Sequence, residues 1–283
     1  MTRMRVAVAG AGTLAKLFAE ELPAAGHEVV ILSRSHKEFF DRKPDVVEQR
    51  TTDYSSVPQL TEQLNDCDAA ISTIADFSPA YVNAHTALIE ACKQSPKCKR
   101  LIPSEFGGNA EDNPEPPDSV FHNRKVVKDT LKTQTEIEWT VVSLGWIMEY
   151  IVPSANRYHG NPGPMHPLDH HTKTITIPGT GNDVFSGEET TWLKMAETMK
   201  TVGGMSDLKV EFESVDELKQ AFKLKESFFS GMVAEFKLMV PNGFCTLDQS
   251  KVQRDRDEFF PSLRFRTMED MLTAAKKDPK AIV

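Results

Sequence analysis

The sequence predicts an α/β fold: a doubly wound parallel sheet followed by a smaller C-terminal α+β lobe. Three observations predict it. Short apolar runs alternate with amphipathic stretches from Val6 to Ser143, the rhythm of strand–helix–strand units. The first run enters a glycine turn, Gly10-Ala11-Gly12, that opens directly into a helical pattern. Past Tyr150 the alternation fails, and Pro153, Pro162, Pro164 and Pro167 crowd one loop-rich segment. The expected boundary follows residue 152. Residues 1–152 carry the sheet and 153–283 form the smaller lobe, with some return of the later chain to the main sheet.

Taken in order, Val6 to Ala9 is nearly all apolar, as a strand buried on both faces must be. Leu14, Leu17, Phe18 and Leu22 then recur at helical spacing, and Pro23 and Gly26 are expected to stop that helix. Glu28–Leu32 reads as the second strand and Asp45–Glu48 as the third. Ser56-x-x-Gln59 is a capping-box pattern that opens a helix carrying Leu60 and Leu64. Asp68–Ala75 is the fourth strand, Ala80–Cys92 a helix with Val82, Ala87, Leu88 and Ala91 inward, and Arg100–Pro103 the fifth strand. Asn113-Pro114-Glu115-Pro116-Pro117 forms a stiff loop, a helix starts near Asp118, and Glu138–Ser143 is the sixth strand. In the lobe, Thr172–Ile177 reads as a strand and Glu188–Met199 as a helix; Ser214-x-x-Glu217 caps another helix and Thr267 opens the last.

Composition narrows the class. With 283 residues, 40% apolar and 26% charged, the chain is of ordinary globular make-up and long enough to bury a substantial core. The formal charge of −8 without a long basic run argues against nucleic acid or an anionic membrane as a partner. The four cysteines form no C-x-x-C pair, and reduced thiols in a cytoplasmic protein are the plain reading. The apolar run after the first basic residues is too short for a leader, and no run approaches the ~20 residues of a membrane span.

The glycine turn carries the first chemistry. A strand, a glycine turn and a helix N-terminus together hold a dinucleotide pyrophosphate: glycines let the backbone approach, and free N–H groups and the helix dipole face the phosphates. Gly10, Gly12, Thr13 and Leu14 are the candidates, with Ala15 where a third glycine often sits. An ordinary strand-to-helix turn is the alternative. The second strand ends in Ser33-Arg34-Ser35-His36-Lys37, without the acidic residue that meets a ribose 2′-OH. Ser33, Arg34 and Lys37 supply a hydroxyl and two cations where a 2′-phosphate lies, so the sequence favours NADPH, the alternative being a solvated basic loop. Asp53 follows the third strand, where an adenine edge can be met. The small residues Thr73 and Ala75 follow the fourth, and Ser104 follows the fifth.

The run Arg100-Leu101-Ile102-Pro103-Ser104-Glu105-Phe106-Gly107, with the turn above, resembles the NmrA-like, isoflavone-reductase-like branch of the atypical short-chain dehydrogenases. The resemblance covers Val6 to Tyr150 well and the last third only in outline. It implies a Rossmann-type fold and reduction of a small aromatic or conjugated substrate with NADPH. Ordinary members of the wider group use Tyr-x-x-x-Lys, which is absent here. Phe121-x-x-x-Lys125 has the same spacing, and the resemblance makes Lys125 the retained lysine, over the nicotinamide ribose, both a cofactor contact and the catalytic residue. A cation there stabilises oxyanion character in the substrate. The alternative is a solvated lysine on the same helix as Lys128 and Lys132, and His122 is a second proton donor by intrinsic pKa, otherwise an exposed helix histidine.

Residues 1–152 are expected to bind the dinucleotide and the lobe 153–283 the substrate; Phe106 and Trp146 are the candidate substrate residues, whereas Met148 and Tyr150 read as lobe packing. His159, His166, His170 and His171 lack a fixed ligand spacing, so no metal is expected. Trp192 begins a helix preceded by Thr190 and Thr191, where relatives carry an acidic-aliphatic pair. A different class keeps a claim on the same residues: an NADP-binding, redox-sensing regulator without catalysis, as NmrA is. Oligomeric state leaves no mark on the sequence.

Overall fold

The computed structural model describes residues 2–43, 46–114, 117–185 and 188–283. Asp45, expected to open the third strand, and Glu115 and Pro116 of the proline-rich loop lie outside the described residues. The chain divides into two compact units: Met1–Glu105 with Glu115–Val142, and Phe106–Pro114 with Ser143–Val283.

The first unit runs β1 (Arg5–Ala9), α1 (Thr13–Ala24), β2 (Glu28–Ser33), α2 (Glu38–Asp41), β3 (Val46–Thr51), α3 (Val57–Leu64), β4 (Ala69–Ser72), α4 (Ala80–Gln94), β5 (Arg100–Ile102), α5 (His122–Lys132) and β6 (Glu138–Trp139). Its strands form one parallel sheet in the order β3-β2-β1-β4-β5-β6. The chain therefore reverses direction across the sheet between β1 and β4, the switch point at which open α/β sheets bind ligands.

Alternate residues of β1 point to opposite faces. Ala7 and Ala9 join Val30, Leu32, Leu60, Leu88, Leu101 and Leu131 in one core, under α3, α4 and α5. Val8 joins Val29, Ile31, Phe40, Ala15 and Ala19 in a second, under α1. Both faces are buried, which is why β1 and β2 read as unbroken apolar runs.

Several boundaries differ from expectation, the fourth strand among them, which is Ala69–Ser72 rather than Asp68–Ala75. Pro23 lies inside the last turn of α1 rather than ending it. The stop is Gly26, at φ +88°, with His27 N–H on the Leu22 carbonyl (3.0 Å) and Gly26 N–H on that of Pro23 (2.8 Å), a Schellman pair. The sixth strand is only Glu138–Trp139; Thr140 N–H still meets the Leu101 carbonyl at 3.2 Å, and by Leu144 and Gly145 the amides have turned to the Gly107 carbonyl at 2.9 Å. Helix α5 starts at His122, four residues after Asp118. At α3, Ser56 accepts from Gln59 N–H at 3.4 Å, but the Gln59 side chain meets the Thr52 hydroxyl instead of closing the capping box.

The second unit contains β7 (Leu168–Asp169), β8 (Thr174–Pro178), β9 (Val184–Phe185), β10 (Thr190–Thr191), α6 (Trp192–Thr201), β11 (Lys209–Glu213), α7 (Val215–Leu224), α8 (Phe228–Leu238), α9 (Gln249–Phe259) and α10 (Met268–Lys277). β8 pairs in parallel with β11 and antiparallel with β7, and β9 and β10 form a two-residue ladder. Helix α6 starts at Trp192, not Glu188, because Thr191 is its N-cap and accepts from Lys194 N–H at 3.2 Å. Ser214 and Thr267 cap α7 and α10 as the sequence indicates. No helix among the described residues is long and apolar enough to cross a membrane.

Candidate functional site

The C-terminal ends of β1, β2, β4 and β5 bring together most of the predicted cofactor residues. Gly10 sits at φ +110°, a conformation that costs a residue with a side chain. Its N–H reaches both the Leu32 carbonyl and the Tyr54 hydroxyl, each at 2.9 Å, while Tyr54 Oη–H donates to the same carbonyl at 2.6 Å. Burial raises the Tyr54 phenol to about 12, so it remains a donor at any physiological pH. A Cβ on Gly10 would lie 2.5 Å from Thr73 Oγ1, so the turn is pressed against the end of β4. Thr73 is held there by its own amide and hydroxyl on the Ala9 carbonyl, at 2.7 and 3.2 Å.

Gly12 differs in kind. Its φ of −84° is open to any residue, and a Cβ there would meet no atom within 4 Å. Space, not conformation, is what this glycine supplies. It is the N-cap of α1 and offers no capping side chain, and the first turn holds no acidic residue. The amides at Thr13 and Leu14, with the positive end of the helix dipole, therefore suit an anion. Ala15 has a packing role: it is fully buried against Val8 and Ile31, where a larger side chain would push α1 off the sheet.

At the end of β2, Arg34 and Lys37 are exposed and make no ion pair among the described residues. Lys37 is fixed through its backbone, its N–H and carbonyl both meeting the Gln49 side-chain amide at 3.0 and 3.2 Å. Ser33 is buried, and its hydroxyl donates to the Ser35 carbonyl at 2.7 Å, which shapes the loop. The exposed Asp53 carboxylate accepts from both the amide and the hydroxyl of Ser55, which together hold it below the usual carboxylate range. Ala75 is exposed just beyond β4.

The run after β5 is clamped from within the unit. Ser104 is buried; its carbonyl accepts from Tyr81 Oη–H at 2.9 Å, and its N–H donates to His85 Nε2 at 3.4 Å. His85 is sealed off completely, with Nδ1 2.8 Å from the Tyr81 carbonyl. These bonds define a neutral imidazole with its proton on Nδ1, and burial lowers its pKa to about 4. Glu105, in the same run, is buried and paired with Lys128.

Lys125 lies in the first turn of α5, partly exposed, and bonds Asp129 four residues on. Phe121, in the position of the missing tyrosine, is buried. His122 is half-buried with a shielded Nδ1 that has no partner, so it is not the exposed histidine the sequence suggests.

Phe106 and Trp146 both belong to the second unit. Trp146 is buried in a ring cluster: its ring centroid lies 5.2 Å from that of His166, 5.9 Å from Phe236 and 6.3 Å from both Tyr150 and Trp192. Tyr150 packs there too. Three of the four histidines gather at Tyr150: the ring centroids of His159 and His166 lie 5.6 and 5.2 Å from that of Tyr150, and His170 Nε2 is 2.9 Å from its carbonyl, while the N–H of His171 donates to Asp169 Oδ1 at 2.8 Å.

A family model described as NAD(P)H-binding matches residues 9–163. The chain belongs to that family. Over 99% of its length and 100% of the relative's, it is 34% identical to the oxidoreductase swnR of Arthroderma benhamiae. It is 26% identical to the bifunctional pinoresinol-lariciresinol reductase of Linum usitatissimum, over 64% of this chain and 60% of that one. Among solved structures, "AtPrR2 with NADP+ and (+)pinoresinol" shares the fold, with a TM-score of 0.74, 15% identity and coverage of 97% and 99% of the two chains. The protein is thus an oxidoreductase of the NAD(P)H-binding family, using a nicotinamide dinucleotide, and its relatives are reductases of the isoflavone and pinoresinol type.

Proposed function

We propose that this oxidoreductase takes NADPH and reduces a small aromatic or conjugated molecule. The observation that carries the reading is the rim of the first unit, where open space at Gly12 and an uncapped helix N-terminus adjoin the unpaired cations of the β2 loop. Gly10, Gly12, Thr13 and Leu14 would hold the pyrophosphate, and Arg34 and Lys37 the 2′-phosphate. When bound, the nicotinamide supplies the hydride; the protein supplies position and field.

Lys125 would hold the ribose hydroxyls and set a positive charge beside the substrate oxygen or nitrogen that gains electron density. Its bond to Asp129 does not oppose this. Both side chains are about half exposed, and such surface pairs exchange partners at a cost of ~1 kcal/mol or less. Phe121 cannot donate a proton, so the acid is water or another side chain, with His122 a candidate by its intrinsic pKa. The relative bound to (+)pinoresinol supports a phenolic or conjugated substrate class.

The test is NADPH oxidation with a panel of quinones, isoflavonoids and enones, on the chain and on Lys125→Ala. Turnover that falls strongly in the variant supports the reading. Tight NADPH binding with no substrate in the panel consumed, and no effect of Lys125→Ala, would favour a redox-sensing regulator.

A further inference from the structure

Helix α9 (Gln249–Phe259) buries none of its residues, and the turn that follows it is exposed from end to end. A helix of this length without packing is marginal in water. Asp248 caps it, and Lys251 Nζ bonds Asp112 at 3.1 Å. The turn carries four large apolar side chains, Phe259, Phe260, Leu263 and Phe265, at 64, 49, 57 and 42% exposure. Three of them form one cluster. The Phe260 ring centroid lies 6.5 Å from that of Phe259 and 6.0 Å from that of Phe265, and the Arg256 guanidinium carbon stands 4.5 Å over the Phe265 ring. At about half exposure these side chains present on the order of 400 Å² of apolar surface, the size at which a patch marks an interaction site.

The charges around the patch select its partner. Arg254 pairs with Asp255 at 2.7 Å, and Arg264 with Asp270 at 2.9 Å. With Lys251 on Asp112, these cations already hold carboxylates, so the surface lacks the single-sign field that an anionic membrane or a nucleic acid requires. Rings and arginines at the centre with a rim of mixed charge are instead the make-up of a protein–protein contact. On the helix itself, Ser250, Gln253, Arg254, Asp257 and Glu258 recur three and four residues apart and form an exposed stripe, while Gln249, Val252, Asp255 and Arg256 are less exposed. Laid antiparallel on a second copy, about a twofold axis between Asp255 and Arg256, this stripe complements itself. Arg254 falls opposite the partner's Asp257, and Gln253 opposite the partner's Glu258. The same operation sets each aromatic turn beside the first turn of the partner's α9. Patch and stripe together approach the ~800 Å² per partner of a stable interface.

We infer that the chain self-associates as a twofold dimer through α9 and the turn at Phe259–Phe265. The Arg254–Asp255 pair does not oppose this, since the two side chains are 63% and 48% exposed and such surface pairs exchange partners readily. The inference does not depend on the reading of the dinucleotide site.

Sedimentation velocity of the full chain between about 1 and about 100 μM tests it, with phosphatidylserine vesicles as a separate arm. The parent is expected to become dimeric across that range, and the double variant Phe260→Ser with Leu263→Ser to remain a monomer. Arg254→Asp places acid opposite acid across the twofold, and Asp257→Arg places base opposite base. Each alone should self-associate more than about tenfold more weakly than the parent. Mixed in equal amounts, the two variants should form a heterodimer, because every facing pair is then opposite in sign. A role of either residue within its own chain predicts no such recovery. All four positions are exposed, so the variants should unfold thermally where the parent does. A parent that is monomeric throughout, a dimer that survives Phe260→Ser with Leu263→Ser, or a mixture no more associated than its components would each overturn the inference. So would a monomer that cosediments with the vesicles, which would assign the turn to lipid.

Discussion

Lys128 Nζ lies 3.5 Å from Glu105 Oε2, with the two side chains 11% and 4% exposed. This is a nearly sealed charge pair, and it ties α5 to the Pro-Ser-Glu-Phe-Gly run after β5. Lys125, one turn earlier on α5, faces largely outward, so two lysines of one helix have opposite roles. Removing one partner of a buried pair strands the other, at a typical cost of about 3–5 kcal/mol. Lys128→Met is expected to lower stability by about 3 kcal/mol, and Glu105→Gln in the same chain to restore part of that. A double-mutant cycle by denaturant unfolding checks it; strictly additive effects would show that the pair is not coupled.

The two glycines of the turn should separate stability from binding. Gly10→Ala meets both a positive φ and Thr73 Oγ1, and should cost roughly 2–4 kcal/mol of stability. Gly12→Ala has room and an ordinary φ, so its stability cost should stay under about 1 kcal/mol, while cofactor affinity falls on the order of tenfold or more. Thermal unfolding and cofactor titration on both variants give the comparison. A Gly12→Ala chain that binds as tightly as the parent would remove the phosphate from this corner.

Cofactor choice should reside at Arg34. Arg34→Ala is expected to weaken NADPH by about 1.5–3 kcal/mol, the range for a charge-assisted hydrogen bond, and to leave NADH nearly unchanged. Direct titration of both dinucleotides reads this. An equal loss for the two would place Arg34 away from the 2′-phosphate.

His85 predicts part of the acid response. Its pKa is lowered to about 4 in the fold, against about 6.5 in an unfolded chain. Below pH 6.5 the unfolded imidazole takes up a proton that the folded one refuses. The stability it contributes is therefore full above 6.5 and declines as pH falls toward 4, by up to about 3 kcal/mol. His166, lowered to about 3 by burial in the second unit, acts in the same direction. Unfolding midpoints between pH 6.5 and 4 should fall less steeply in His85→Gln than in the parent; identical slopes would mean that His85 does not titrate on unfolding.

The parts of this molecule that were legible in the sequence are those set by local pattern. β1 and its glycine turn were, because burial on both faces imposes an apolar run and the turn imposes Gly10. Ala15 shows a signal that reads two ways: as a lost phosphate-binding glycine, it is instead the residue that lets α1 lie close to the sheet. Lys128 reads as one more solvated lysine, because its partner Glu105 is 23 residues away and no periodicity links them. Helix α9, Gln-Ser-Lys-Val-Gln-Arg-Asp-Arg-Asp-Glu-Phe, has no buried residue and hence no apolar stripe to betray it. Helix α8 is marked by its Ser227/Ser230 capping box and by buried Gly231, Ala234 and Leu238 at helical spacing.

The phenol of Tyr54 ties the first turn to the end of β2. A loop that a ligand must freeze gives up affinity to the entropy of freezing it. Here the fold has done the freezing already, with one hydroxyl that serves both Gly10 and Leu32. Tyr54→Phe should then weaken dinucleotide binding chiefly by giving the turn conformations to lose, which titration of the variant measures.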